Sequence, residues 1–452
     1  MFFDSRKVAL ETLNTLDQGR RTLDNILEGI PADNTSASKR DRALFQTLVF
    51  GVLRWRGRLD FIITHFSSTR FDKIDPRVLN ILRLALFQII YLDRVPDSAA
   101  VNTAVELAKA CVAPWVVGFV NAVLRKAVRD YQNLSFPVVE KNAIAATAVN
   151  KSFPEWIIRR WINRYGSDDT ATLCDALNTI PAITIRTNTL KTSPRELAKV
   201  LANEADQIKP TIYSPDGITF VNPATSIPML GGFKDGWFQV QDEAAQLVSI
   251  LLNPQPGETV LDACAGLGGK TGHIAQLMKN EGTVVAIDIN EEKLLRLKSE
   301  MQRLGISIVK TMCQNLTDGN LQSRLQRFDR ILLDAPCSGI GVIRRNPDIK
   351  WCTSKKNLIK FKNRQSALLE NLSQLVSASG VLVYAVCSPE PEENEAVVND
   401  FLKKHTEFVI DKHIEGLPDK MVSIMTSNGF FKMFPHLSQM DGFSFVRLQR
   451  IP

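Results

Sequence analysis

The chain has 452 residues, a formal net charge of +7, and 44% hydrophobic against 23% charged residues. That balance excludes a disordered or fibrous chain, and at roughly 100–200 residues per domain the length predicts two to four domains. The positive charge favours a polyanionic partner without proving one. The longest apolar stretch, Leu79 to Leu92, is interrupted by Arg83 and is too short to cross a bilayer. The start, MFFDSRK, carries an early acid and no apolar run, so no signal peptide is expected and a cytoplasmic protein is. The seven cysteines are Cys111, Cys174, Cys264, Cys313, Cys337, Cys352 and Cys387. Their number is odd and none form a C-x-x-C pair, so neither a disulfide framework nor a metal site is expected. In a reducing compartment such thiols stay free for chemistry.

Residues 1–140 read as helix after helix. VALETLNTL, FQTLVFGVLRWRGRLDFII and VLNILRLALFQIIYL all carry 3.6-residue apolar spacing. Within this region Lys39, Arg40, Arg42, Arg54, Arg56 and Arg58 crowd twenty residues, with Trp55 among them and Asp41 as the only acid. Such a cluster is either a solvated helix face or a phosphate-contacting patch. Arg344, Arg345 and Lys350 are further candidates for phosphate contact.

Residues 141–235 predict a small α/β module. A helix fits FPEWIIRRWINRYG, ending at Gly166. AITIRTNTL and GITFV read as strands, with PRELAKVLANEA as a helix between them. From 236 to 452 strands (ETVLDA, TVVAIDI, RILLDAP, VLVYAV) alternate with helices (GKTGHIAQLMK, NEEKLLRLKSEMQRL, KFKNRQSALLENLSQLV, EENEAVVNDFLKK). That order predicts a doubly wound, mostly parallel sheet. The chain is thus read as multidomain: all-α, then small α/β, then a Rossmann-like α/β domain.

The strand ending at Asp262 runs through Ala263, Cys264, Ala265, Gly266, Leu267, Gly268, Gly269 and Lys270 into a helix. Glycines let the backbone turn sharply and approach a ligand, and the helix start presents free N–H groups to it. The next strand ends at Asp288, where an acid can accept hydrogen bonds from a ribose diol. A P-loop lacks its first glycine here, since position 264 is Cys. An NAD fingerprint fails because Thr271 stands at its third glycine. An S-adenosylmethionine loop fits; a plain tight turn is the bland alternative.

Two further strands end in DAPCSG (Asp334 to Gly339) and YAVCSP (Tyr384 to Pro389). Carboxyl ends of strands line the ligand crevice of such sheets, so both thiols could face a cofactor. Carbon 5 of cytosine is a poor nucleophile until a thiolate adds to carbon 6, which splits one hard step into easier ones. Asp334 is placed to partner N3 of the ring. The bland reading is that each Cys is a small buried hydrophobe.

FQVQDEAAQLV (Phe238 to Val248), DACAGLGGKT, VVAIDIN, ILLDAPCSG, GVIRRNPDIKW (Gly341 to Trp351), AVCSPEPEEN and DGFSF (Asp441 to Phe445) occur in one order. In these segments the third domain resembles the Sun-type RNA cytosine-C5 methyltransferases. NILEG, RDRALFQTLVFGVLRWRGRLD and FVNAVLRK resemble the NusB-type helical fold. The resemblance implies S-adenosylmethionine as cofactor and RNA as partner, most specifically cytosine 967 of 16S ribosomal RNA, acted on by a monomer. It implies Cys387 as nucleophile, Cys337 in adduct release, and Asp334 and Lys270 at the reacting centre. It assigns cofactor contacts to Cys264 through Lys270, to Asp288, to Asp334, and at the turn after the third strand to Cys313. Three positions depart from the pattern: Leu267 for a Pro, Val386 for a Thr, and Cys313 for an acid, which Asp318 could replace. An active methyltransferase and a catalytically degenerate RNA-binding assembly factor both remain open, with a P-loop nucleotidase a distant third.

Overall fold

A computed structural model describes residues 4–19, 21–30, 38–319 and 321–451; Met1 to Phe3, part of the leader argument, lie outside them. The chain divides into two compact units, Met1–Thr179 with Ile343–Cys352, and Ile180–Val342 with Thr353–Pro452.

The first unit is helical. Its longest helix, Lys39–Phe66, starts at a capping box in which the Ser38 side chain and the Asp41 carboxylate satisfy each other's backbone N–H. It packs against the helix Pro76–Tyr91 so closely that a Cβ on Gly51 would stand 2.0 Å from the Phe87 ring. Arg83, the charge inside the apolar run, is buried in that core and forks onto Asp60 at 2.6 and 2.9 Å. The helices Ala143–Lys151, Glu155–Tyr165 and Ser167–Asn178 also belong to this unit. The first unit runs on to Thr179, past the division expected near residue 141. Helical period alone does not say which neighbour a buried stripe faces.

The segment 343–352 is a correction. Its cations were candidates for phosphate contact, yet Lys350 is wholly buried. The Lys350 Nζ donates to the carbonyl oxygens of Arg54 (3.0 Å) and Ser152 (3.1 Å) and to Asn178 Oδ1 (2.6 Å), and lies 3.8 Å from the centre of the Phe153 ring. Arg54 is buried too and donates to the Arg344 carbonyl at 2.8 Å. Arg344 is likewise buried. Arg54 and Lys350 cross-link the helical unit, and burial takes all three side chains off its surface. Arg56 pairs with Asp17 at 2.7 Å, and Arg58 stacks over Phe136 at 4.4 Å. Lys39, Arg40 and Arg42 are exposed, and Arg345 is half-buried.

The second unit holds two sheets. Strands β1 (Ile183–Thr187), β2 (Asp206–Pro210), β3 (Gly217–Val221) and β4 (Phe238–Val240) form an antiparallel sheet in the order β2-β3-β1-β4. Leu197 and Leu201 of the helix Pro194–Leu201 cover it, against Ile185, Ile218, Phe220 and Phe238.

The larger sheet contains β5 (Thr259–Asp262), β6 (Thr283–Asp288), β7 (Val309–Cys313), β8 (Phe328–Asp334), β9 (Val376–Val386), β10 (Phe408–Ile410), β11 (Phe430–Met433) and β12 (Phe443–Arg450). Its order is β10-β12-β9-β8-β5-β6-β7, with β11 on β12. β5 through β9 run parallel, and β12 adds antiparallel to β9. Separate apolar cores cover the two faces. The carboxyl ends of β5, β6, β8 and β9 therefore open on one edge. Among the described residues no helix is long and apolar enough to cross a membrane.

Lys350→Met is expected to take one donor from each of three acceptors, the Arg54 and Ser152 carbonyls and Asn178 Oδ1, and to cost about 1–3 kcal/mol. Calorimetry should show an earlier unfolding transition of the helical unit, while the salt dependence of polyanion binding stays as in the wild type. A changed salt slope with unchanged stability would restore Lys350 to the surface.

Candidate active site

The turn after β5 is built on backbone conformations that favour glycine. Gly266 and Gly268 have φ of +55° and +85°, and a Cβ on Gly268 would stand 2.6 Å from the Leu297 side chain. Asp288, at the end of β6, accepts the Gly266 N–H and the Asn290 N–H, each at 2.9 Å, and so ties the turn to the neighbouring strand. Below the turn Asp262 is fully buried and accepts the Thr271 hydroxyl at 2.7 Å; burial pushes its pKa up to about 6. Arg186, from β1, is also buried. It donates to the Gly269 carbonyl (2.8 Å), to Gln239 (3.0 Å), to Gln276 (3.2 Å) and to Gln241, fixing the start of the helix Gly269–Leu277.

A cavity of about 240 Å³ lies beside this turn, with Cys264, Asp288, Lys293, Gln314, Asn315 and Arg364 in its wall. Of the loop residues singled out in the sequence, Cys264 reaches it. Ala265, Gly266, Leu267, Gly268, Gly269 and Lys270 do not line it, and Leu267 is exposed. Cys313 is exposed and its thiol donates to the Ile289 carbonyl at 3.5 Å; the next two residues, Gln314 and Asn315, form the wall in its place. Asp318 does not line the cavity; it accepts from Asn315 Nδ2 at 2.8 Å. Gln314 and Asn315 follow the end of β7 as Ile289 and Asn290 follow β6, which is the signal that could have found them. Arg364 comes from the helix Lys355–Ser373, and no local pattern marks it.

β8 and β9 are parallel neighbours with Asp334 opposite Ala385. Three residues past Asp334 stands Cys337, and two past Ala385 stands Cys387. Their sulfurs lie 3.2 Å apart, and both are free thiols. The hydrogen bond with Cys387, and then burial, push the Cys337 thiol well up. Lys270 Nζ donates to Asp334 Oδ2 at 2.6 Å and lies 5.4 Å from the centre of the Phe443 ring. Burial opposes the Lys270 charge, but Asp334 outweighs it and the pKa rises. The structure thus brings Lys270, Asp334, Cys337 and Cys387 together beside the cavity. Val386, where a hydroxyl was expected, is packed in the apolar core. Glu393 was not singled out in the sequence, yet its carboxylate bonds both Ser338 and Ser388.

Residues 249–449 match the family described as 16S rRNA methyltransferase RsmB/F. Residues 4–129 match the NusB family, and 153–226 the RsmF/B-like ferredoxin-like domain. The probable ribosomal RNA small subunit methyltransferase B of Bacillus subtilis (strain 168) is 34% identical over 446 residues, covering 98% of this chain and 98% of that protein. The chain belongs to the RsmB family. An RsmB relative of Synechocystis sp. is 36% identical over 91% of this chain and 92% of its own. The crystal structure of PH0851 is similar with a TM-score of 0.82 at 25% identity, covering 100% of both chains. The RsmB-family architecture is a NusB helical domain, a ferredoxin-like domain and a Rossmann-like methyltransferase domain, as the sequence reading expected.

In this RsmB-family chain, Asp334→Asn is expected to lower the Lys270 pKa, since burial then acts on the ammonium without its counter-charge. An NMR titration of ¹³C-dimethylated lysines reads it. A Lys270 midpoint equal to the wild type's would mean that Asp334 does not hold the charge there.

Proposed function

We propose that this RsmB-family enzyme transfers a methyl group from S-adenosylmethionine to carbon 5 of cytosine 967 in 16S ribosomal RNA, through a bond from Cys387 to carbon 6. The observation that carries this reading is the pair of sulfurs 3.2 Å apart at the ends of adjacent parallel strands, beside the Lys270–Asp334 pair. The names of the relatives support ribosomal RNA as substrate. The cytoplasm, which keeps thiols reduced, suits such a site.

The cavity fits the cofactor. Asp288 offers carboxylate oxygens to a ribose diol, the Gln314 side-chain amide, whose buried Nε2 has no partner in the protein, suits the edge of an adenine, and Ile289, Leu316 and Leu368 supply apolar wall. Bound there, S-adenosylmethionine supplies an electrophilic methyl group. The residues of the chain do the rest. The Cys387 thiolate adds to carbon 6 of the base. Asp334, paired with Lys270 at 2.6 Å, is available to the N3 edge of the ring. Formation of the Cys387–carbon 6 bond consumes the acceptor of the Cys337 hydrogen bond. The largest influence holding the Cys337 proton goes with it. Cys337, after passing its own proton to water, can then take the carbon 5 proton as a thiolate, and the carbon 6–sulfur bond breaks with its electron pair returning to Cys387. Lys39, Arg40 and Arg42, exposed at the start of the helix Lys39–Phe66, are the proposed phosphate contacts, with Arg56, Arg58 and Arg345 less accessible beside them.

The intact set of both thiols, Lys270 and Asp334 favours an active enzyme over a degenerate assembly factor. Bisulfite sequencing of 16S ribosomal RNA from a deletion strain should lose protection at cytosine 967; protection that persists there assigns the methylation to another protein. The thiol variants should fail differently. Cys387→Ala should bind RNA reversibly and transfer no methyl group. Cys337→Ala should accumulate a protein–RNA species that survives denaturing electrophoresis. The opposite pattern reverses the two roles, and full activity in both variants sinks the covalent mechanism.

A further inference from the structure

Two loops carry the two thiols, and one buried carboxylate fastens both. Glu393 is fully buried, in the turn Pro391–Glu393 before the helix Glu395–Leu402. Its Oε1 accepts the Ser338 backbone N–H at 2.7 Å and the Gln365 amide at 3.3 Å. Its Oε2 accepts the hydroxyls of Ser338 and Ser388, each at 2.5 Å. Ser338 directly follows Cys337, and Ser388 directly follows Cys387. The flanking residues are held as well. Gln365 donates to the Pro336 carbonyl at 3.0 Å, one residue before Cys337, and Tyr384, three residues before Cys387, donates its hydroxyl to the Glu393 carbonyl at 2.5 Å.

An ionised carboxylate is an acceptor at both oxygens, and here four donors from two loops and one helix converge on it. Burial pushes the carboxyl up in pKa, and the bonds from Ser338, Ser388 and Gln365 pull it back. Removing a charge from water is costly, and an apolar side chain could fill the same space without that cost. An apolar residue could not bridge the two serines. Neither Ser338 nor Ser388 touches the other loop's cysteine by a hydrogen bond; besides the thiol–thiol contact and the Gly341 N–H, which donates to the Cys387 carbonyl at 3.0 Å, the loops are linked through Glu393 and the weaker Ser338–Ser388 contact at 3.2 Å.

We propose that Glu393 is a positioning residue that sets the separation and facing of the two thiols, acting through Ser338 and Ser388. This rests on the two-thiol chemistry proposed above. It also gives the acidic end of AVCSPEPEEN a function: the same short segment supplies the nucleophile and the clamp that aligns it with its partner.

The test uses the full chain with Glu393→Ala, Glu393→Gln and Ser388→Ala, and two readouts. The first is the rate at which diamide, in RNA-free protein, takes two electrons and both thiol protons to join Cys337 to Cys387, followed by mass spectrometry of the linked peptides. That rate reports the spacing of the sulfurs whatever their role in catalysis. The second is kcat for RNA methylation beside KM for RNA and for S-adenosylmethionine. Since misplacement by about 1 Å can cost about 100-fold, Glu393→Ala should slow both the disulfide rate and kcat by about tenfold or more, with both KM values unchanged. Glu393→Gln, which keeps an acceptor for the Ser338 N–H, should recover part of each. A wild-type disulfide rate in Glu393→Ala overturns the proposal. If that variant does not fold, wild-type rates in Glu393→Gln and Ser388→Ala overturn it equally. A failure of the underlying reading looks different: Cys387→Ala would retain methylation while the diamide rates still divided the Glu393 variants from the wild type.

Discussion

The parallel pairing of β8 with β9 is the constraint on which the site depends. It sets Asp334 opposite Ala385, and so delivers two loops, fifty residues apart in sequence, to one point with their sulfurs 3.2 Å apart. Because side chains alternate across a strand, a slip of one residue would turn Asp334 away from Lys270. The register is held by apolar burial: Leu332 and Val383 lie in one core, while Leu333 and Tyr384 lie in the other. The chemistry thus inherits its geometry from packing several residues away.

Around that pairing the molecule places charges where burial makes them strong. Beside the thiols, Asp334 raises the Lys270 pKa against the pull of burial. Arg186, with no exposed surface to speak of, binds a backbone carbonyl and three side-chain amides, and burial pulls its pKa down to about 9. Lys350 does the same for the helical unit, and Arg83 for its central helix. A positive net charge therefore misleads when taken as surface. Several cations in the sequence clusters are internal cross-links, bonded to acceptors that the fold supplies.

Much was legible in the sequence, for local reasons. The glycine turn, the acid ending the next strand, and the two Cys-Ser pairs after apolar strands are short-range patterns whose geometry follows from a strand–turn–helix unit. The alternation of strands and helices was enough to call a doubly wound sheet, and Gly166 was enough to end its helix, at φ +84°. Less legible were the C-terminal strands β10 to β12. FSFVRLQR does not alternate cleanly, because most of β12 is buried in the middle of the sheet, where both faces are covered.

The sequence by itself determined the chemistry available: two thiols, a lysine, two acids and a glycine turn, each at the end of a predicted element. Only the tertiary structure decided which of these meet. It paired Cys337 with Cys387, pushed the Cys337 thiol up in pKa, and moved the cavity wall from Cys313 to Gln314 and Asn315. It also took Arg54, Arg344 and Lys350 off the surface. The physical reason is common to all of these. Local pattern fixes which face of an element is apolar, but burial, hydrogen-bond partners and proton affinity depend on which distant element covers that face.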